Sequence, residues 1–134
     1  MCLNIFTMPY KRTFDLEDRL IKFACKCLEV CDLLPNTKAA QNLEYQLSKS
    51  STATALIYGE AQAAESRADF LHKSRLVLKE IRESRVNLRI INEKPVLKDP
   101  KVLDALDEAN QLMAIFLTSV KTTKDNPDDK AERN

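Results

Sequence analysis

The feature that most constrains the fold of this chain is its near lack of glycine. Gly59 is the single glycine among 134 residues, whereas β-proteins use glycine repeatedly in hairpin turns and bulges. The sequence therefore favours helices. Apolar residues make up 44% of the chain and charged residues 31%, which is typical of a globular domain and too hydrophobic for disorder. A chain of this length fits one domain.

Four segments carry apolar residues at alternating steps of three and four, the spacing of one face of a helix. We predict helices over residues 14–34, 37–58, 66–94 and 100–123. Short connections between helices of this length favour antiparallel neighbours. The predicted fold is all-α, an antiparallel up-and-down four-helix bundle.

Capping and helix-breaking residues mark the ends of these helices. Pro35 ends helix 1, and Gly59 is a candidate end or loosening point of helix 2. Ser66 is the predicted N-cap of helix 3, which should be the longest. Asp99 followed by Pro100 is the strongest cap signal, and it opens helix 4.

The predicted domain organisation is a bundle at 14–123 between two short terminal segments. Residues 1–13 lack the apolar core and cleavage site of a secretory signal, so we expect a cytoplasmic protein. Residues 124–134 contain no apolar residue larger than alanine, and we expect this tail to be mobile. No apolar run is long enough for a membrane span.

Helix 1 has more apolar surface than a single packing seam requires. Its charged residues fall within about 100° of a helical wheel, so its apolar side is unusually wide. A solvent-facing apolar patch usually marks an interface, and we expect self-association through it. The candidate interface residues are Ile21, Ala24, Leu28 and Cys31.

Helix 3 carries a row of basic residues opposite its apolar seam. The candidate nucleic-acid residues are Arg75, Lys79, Arg82 and Arg89, with His72 and Val86 in the same row. Contacts of this kind would be made to phosphates, without aromatic side chains that read bases. The competing interpretation is a solvated face with local ion pairs, since the net charge of the chain is only +1.

No residue pattern predicts catalysis, a cofactor or a metal. Cys25, Cys27 and Cys31 crowd helix 1, but only the last two share a helical face, and zinc sites need four converging ligands. We interpret them as reduced, buried or interface thiols. His72 is the single histidine and has no evident nucleophile beside it in the pattern. We therefore expect no enzymatic activity.

Short residue groups in the middle of the chain resemble a known family. They are QL at 46–47, EA at 60–61, AES at 64–66, DF at 69–70, HK at 72–73, LKE at 78–80 and RE at 82–83. With helix 1 added, residues 14–91 resemble the four-helix-bundle family first described from open reading frames inside intervening sequences of bacterial 23S ribosomal RNA genes. Ile57 stands where this family commonly has an asparagine.

The resemblance implies an up-and-down bundle, often assembled as a ring of five subunits, with no established enzymatic activity. Members are often described as ribosomal proteins, and a related group resembles accessory proteins of retroelements that associate with reverse transcriptase and nucleic acid. We expect a bacterial, cytoplasmic scaffold or adaptor that forms a homo-oligomer, namely a pentamer, with an unidentified protein partner and no membrane partner. The alternative is an RNA- or DNA-associated module that uses the basic row of helix 3.

Overall fold

The computed structural model of the protein describes residues 15–125. Within this range it contains four helices and no strand: α1 (Leu16–Leu33), α2 (Lys38–Gln62), α3 (Arg67–Glu93) and α4 (Pro100–Lys124). Each helix packs against the next, and α1 also packs against α4, which closes the bundle. The predicted all-α four-helix fold is confirmed. Residues 1–14 and 126–134, which include all of the predicted N-terminal segment and most of the C-terminal tail, lie outside the described residues.

Each helix begins at a side chain that caps it. The side-chain oxygen of each cap accepts a hydrogen bond from a backbone N–H of the first turn, at 2.9 to 3.1 Å, which satisfies a donor that the helix leaves free. The caps are Asp15, Thr37, Ser66 and Asp99. The predicted roles of Ser66 and Asp99 are confirmed, and α3 is the longest helix at 27 residues.

The predicted end of helix 2 at Gly59 is wrong, because α2 continues to Gln62. Gly59 does not adopt a positive φ, so it takes an ordinary helical conformation that needs no glycine. Ala61, beyond the glycine, is buried and continues the packed face of the helix. Its C-cap is Ala63, whose N–H donates to the carbonyl of Glu60 at 3.1 Å.

The interface between α2 and α3 includes small hydroxyl side chains. Ser50 and Ser84 are buried and hydrogen bond to each other at 2.8 Å. Ser84 also donates to the carbonyl of Glu80 at 3.0 Å, and Thr54 donates to the carbonyl of Ser51 at 2.7 Å. Because these hydroxyls are paired, they can be buried without a large desolvation penalty, and short side chains let the two helices approach closely.

Large apolar side chains fill the rest of the core. Phe23 of α1 and Phe116 of α4 are fully buried, and the ring of Tyr58 meets Phe116 edge-on with centroids 5.6 Å apart. Leu71 and Leu78 are buried on α3 beside the single apolar row that the sequence indicates. Since α3 packs against both α2 and α4, it buries more than one row of apolar side chains.

We predict that Gly59→Ala stabilises the protein. An added Cβ at Gly59 meets nothing within 4 Å, and alanine in a helix interior is favoured over glycine by roughly 0.5–1 kcal/mol. The denaturant midpoint should rise, and the matched change Ala53→Gly in the same helix should lower it by a similar amount. A lower midpoint for Gly59→Ala would show that the glycine has a role the helix geometry does not require.

Candidate interaction surfaces

Two of the four candidate interface residues on α1 lie at the surface. Ile21 and Leu28 are 46% and 38% exposed, and they are seven residues, or two helical turns, apart on the same side of the helix. Ala24 and Cys31 are only 7% and 6% exposed. The thiol of Cys31 donates to the backbone carbonyl of Glu44 in α2 at 3.6 Å. This pair packs against the chain itself, so the exposed apolar surface is narrower than the sequence indicates.

The exposed apolar residues of α1 are bordered by acids. Five exposed positions follow one another at steps of three or four along one side of the helix. We call them the α1 stripe: Glu17, Ile21, Cys25, Leu28 and Asp32. Within residues 15–125, neither Glu17 nor Asp32 has a basic partner at ion-pair distance. The stripe is therefore apolar at its centre and negative at both ends.

The other polar edge of α1 is joined to α4 by ion pairs. Arg19 donates from Nε to Glu108 at 2.6 Å, and the ammonium of Lys26 donates to Asp104 at 2.9 Å. The ammonium of Lys101 lies 3.6 Å from the carboxylate of Glu29. The hydrogen bond to Asp104 raises the pKa of Lys26. These contacts are partly exposed, so each stabilises little, but together they orient the charged edge of α1 toward α4.

All four candidate nucleic-acid residues of α3 are exposed, but two of them are paired with acids of their own helix. Lys79 lies 3.9 Å from Glu83, and Arg89 lies 3.3 Å from Glu93, both at i,i+4 spacing. Within the described part of the chain, Arg75 and Arg82 have no acidic partner at ion-pair distance. The uncompensated positive charge of this surface thus comes from two arginines.

Exposed aliphatic side chains lie near these arginines: Val86, which the sequence places in the basic row, and Leu117 of α4. Val86 of α3 is 51% exposed and Leu117 of α4 is 43% exposed. Arg85 donates to the side chain of Asn110 at 2.6 Å, so residue 110 of α4 lies opposite residue 85 of α3. Leu117, two turns further along the antiparallel α4, lies on the same side as Asn110 and level with the segment between Arg75 and Arg82. We call Arg75, Arg82, Val86 and Leu117 the α3–α4 face.

The cavities of the described region are open and shallow. A groove of about 360 Å³ beside the α3–α4 face is lined by Gln46, Arg82, Glu83, Val86 and Asn87. A larger cavity of about 520 Å³ lies at the end of the bundle, where the turn between α2 and α3 meets the last turn of α4.

The carboxyl group of Glu80 on α3 has a raised pKa. Its partial burial is the main cause, and the negative charge of the neighbouring Glu83 is the second.

The three cysteines of α1 differ in their surroundings. Cys25 is exposed, whereas Cys27 and Cys31 are buried and share one face, as predicted. Burial raises the pKa of both buried thiols, that of Cys31 to about 11. Within residues 15–125, no group of three or more histidine, cysteine, aspartate or glutamate side chains is placed to hold a metal ion.

No helix in the described part of the chain combines the length and apolarity needed to span a bilayer.

The chain matches no family model and no curated protein. Its fold is similar to that of a crystal structure from Bacteroides thetaiotaomicron, a protein of unknown function from the S23 ribosomal protein family. The TM-score is 0.72 at 23% sequence identity, and the match covers 79% of this chain and 98% of that one. This likeness shows the fold, and it is the fold that the sequence resemblance predicts.

We predict that stability falls in alkaline solution because of the buried thiols. The folded state keeps protons on Cys27 and Cys31 that the unfolded state releases above the ordinary thiol pKa of about 8.5. The free energy of unfolding should therefore be unaffected by these groups below that pH, and it should fall as the pH rises toward 11. Denaturant midpoints measured across this range should fall less steeply in a Cys27→Ala/Cys31→Ala variant, which keeps the same lysines. Equal slopes in the two proteins would contradict the attribution of the alkaline loss of stability to Cys27 and Cys31.

Proposed function

We propose that this chain is a non-enzymatic, homo-oligomeric scaffold or adaptor of the cytoplasm, in which other copies cover the α1 stripe. The observation that carries the proposal is the exposure of both Ile21 and Leu28 on one side of the same helix. A single exposed aliphatic residue is normal on a protein surface, whereas an apolar patch bordered by polar groups is typical of an interface. The acids at both ends of the stripe form such a border.

The small size of the stripe indicates that the surface that covers it must supply part of the free energy of association. Burying the exposed parts of Ile21 and Leu28 should stabilise a complex by about 1 to 2.5 kcal/mol, given roughly 1.5–3 kcal/mol for a fully buried aliphatic side chain. Association costs at least about 4 kcal/mol in lost translational and rotational freedom. The covering surface must therefore add apolar area or charge pairing of its own.

Two similarities to other proteins support the proposal, and neither of them identifies a cellular process. The resemblance of residues 14–91 to the family of the ribosomal RNA intervening sequences favours an assembly of five copies. The similar crystal structure comes from a protein of unknown function, so it names no process or partner. A scaffold of this kind would act by holding an additional protein, whose identity the sequence does not indicate.

The alternative function is binding to RNA or DNA through Arg75 and Arg82. It is favoured by the absence of an acidic partner for either side chain among the described residues, which leaves both guanidinium groups free to contact phosphates. Retention of the unmodified protein on single-stranded RNA at low salt, lost at high salt and in an Arg75→Glu/Lys79→Glu/Arg82→Glu variant, would support this alternative.

We predict that Leu28→Asp converts the assembled protein to single chains. A carboxylate at this position would have to be buried without a partner in the interface, whereas in the single chain it stays at the surface. Light scattering coupled to size exclusion should give the mass of one chain, 15.3 kDa, for the variant and a multiple of it for the unmodified protein.

The matched control for this experiment is Leu56→Asp. Leu56 is an exposed leucine of α2 that lies outside the α1 stripe, so the change should leave the native mass as it is. A mass of one chain for the unmodified protein at micromolar concentration, or equal masses for the unmodified protein and Leu28→Asp, would contradict the proposal.

A further inference from the structure

Uncompensated cations surround an exposed leucine on the α3–α4 face. Leu117 is 43% exposed and lies level with the segment between Arg75 and Arg82. A third cation, Lys121, is exposed one turn beyond Leu117 on α4, which makes it level with Arg75. Among residues 15–125, none of the three basic side chains has an acidic partner at ion-pair distance. This surface therefore presents three free positive charges around one aliphatic group.

A shallow groove continues this surface beyond Arg82. Its volume is about 360 Å³, and Val86, Glu83 and Asn87 are among its lining residues. Val86 is 51% exposed. The carboxylate of Glu83 lies 3.9 Å from the ammonium of Lys79, and it would repel a second carboxylate. An aliphatic side chain therefore fits the groove better than an acidic one.

The α1 stripe of another copy does not match these charges. Its acids, Glu17 and Asp32, are fifteen residues apart, which is about 22 Å along a helix. Arg75 and Arg82 are seven residues apart on α3, which is about 10 Å. The two acids cannot meet the two arginines at once, so the α3–α4 face fits a different partner.

The spacing of the arginines matches that of side chains on a helix lying along α3. Residues seven apart on a helix point to the same side and lie about 10 Å apart. In an extended segment the same distance of about 10 Å corresponds to three residues, and side chains three apart point to opposite sides. A helix can thus direct two carboxylates at Arg75 and Arg82 together, whereas an extended segment turns one of them away.

We propose that the α3–α4 face binds an acidic amphipathic helix of another protein. Two carboxylates of that helix, seven residues apart, pair with Arg75 and Arg82. An aliphatic side chain between them contacts Leu117, and another, one turn further along, enters the groove beside Val86. Amphipathic helices commonly bind grooves through anchors at such steps. This site rests on the proposed adaptor function, and it gives the chemistry of the additional protein that the adaptor holds.

The exposed aliphatic groups favour a protein over a nucleic acid at this site. Phosphate binding needs cations and polar donors, and single-stranded nucleic acids add stacking of their bases on aromatic side chains. The apolar side chains of the face, Val86 and Leu117, are aliphatic and offer no such stacking surface. A protein helix uses both the cations and the aliphatic groups.

The proposal is tested with a synthetic helical peptide that carries a fluorophore. The peptide has two glutamates seven residues apart, a leucine midway between them and a second leucine one turn further along, in a background of alanine and glutamine. Fluorescence anisotropy during titration with the whole protein should show saturable binding that weakens as salt is added. A control peptide of the same composition, with its glutamates on the side away from the leucines, should bind about tenfold more weakly.

A pair of matched variants measures the contribution of the arginines. Arg75→Gln/Arg82→Gln should weaken binding of the peptide about tenfold, because each exposed ion pair contributes about threefold. Lys22→Gln/Lys38→Gln changes the net charge by the same amount on α1 and α2, and it should leave the affinity unchanged. All four side chains are exposed, so circular dichroism should show the same helical content in both variants.

A second pair of variants measures the aliphatic contact. Leu117→Ala should weaken binding of the peptide roughly three- to fivefold, because it removes apolar surface that the peptide buries. Leu56→Ala removes an exposed leucine of α2, and it should have no effect. If Leu117→Ala loses helical content, Leu117→Gln keeps the length of the side chain and replaces it in the same comparison.

The other outcomes separate the partner site from the homo-oligomeric function. Equal binding of both peptides, or no saturable binding by a protein whose native mass exceeds one chain, overturns the partner site and leaves the homo-oligomeric function standing. Salt-sensitive retention on single-stranded RNA that is lost in Arg75→Gln/Arg82→Gln and unchanged in Leu117→Ala, without peptide binding, assigns the face to nucleic acid. Peptide binding by a protein with the mass of one chain supports the site and contradicts the homo-oligomeric function.

Discussion

The close packing of α2 against α3 through short side chains is the constraint on which the rest of the bundle depends. Ser50 and Ser84 can meet at 2.8 Å between their hydroxyls only because neither helix places a large side chain there. Large apolar side chains from all four helices fill the rest of the core, among them Phe23 of α1, Leu47 of α2, Ile81 of α3 and Phe116 of α4. Burying hydroxyls is tolerable here because backbone carbonyls one turn earlier accept from them.

The sides of α1 make different kinds of contact. The helix contributes a fully buried apolar row, packs Ala24 and Cys31 against the chain, and turns a charged edge toward α4. Its remaining side is apolar at Ile21 and Leu28 although nothing in the described chain covers it. The packing of a single bundle gives no reason for aliphatic residues at these positions. A docked second copy would give one.

Features set by local chemistry could be predicted from the sequence, whereas those set by neighbouring helices could not. Ser66 and Asp99 cap their helices because the cap bonds lie within one turn. The helix end predicted at Gly59 is wrong because a glycine can continue a helix when the residues that follow it, here Ala61, are buried in the core. The burial of Ala24 and Cys31 depends on the distance between α1 and α2. A helical wheel of α1 alone gives no information about that distance. The ion pairs of Lys79 and Arg89 follow from their i,i+4 spacing, and for these two residues the interpretation as a solvated face with local ion pairs holds.

The most direct test of the central claim is the rate at which a thiol reagent modifies Cys25, followed by peptide mass spectrometry over a range of protein concentrations. Cys25 is exposed in the single chain and lies within the α1 stripe. If another copy covers the stripe, modification should slow as the concentration rises, and in Leu28→Asp it should stay fast throughout. Equally fast modification of both proteins, at concentrations where the native mass exceeds one chain, would show that the copies meet elsewhere and contradict the account.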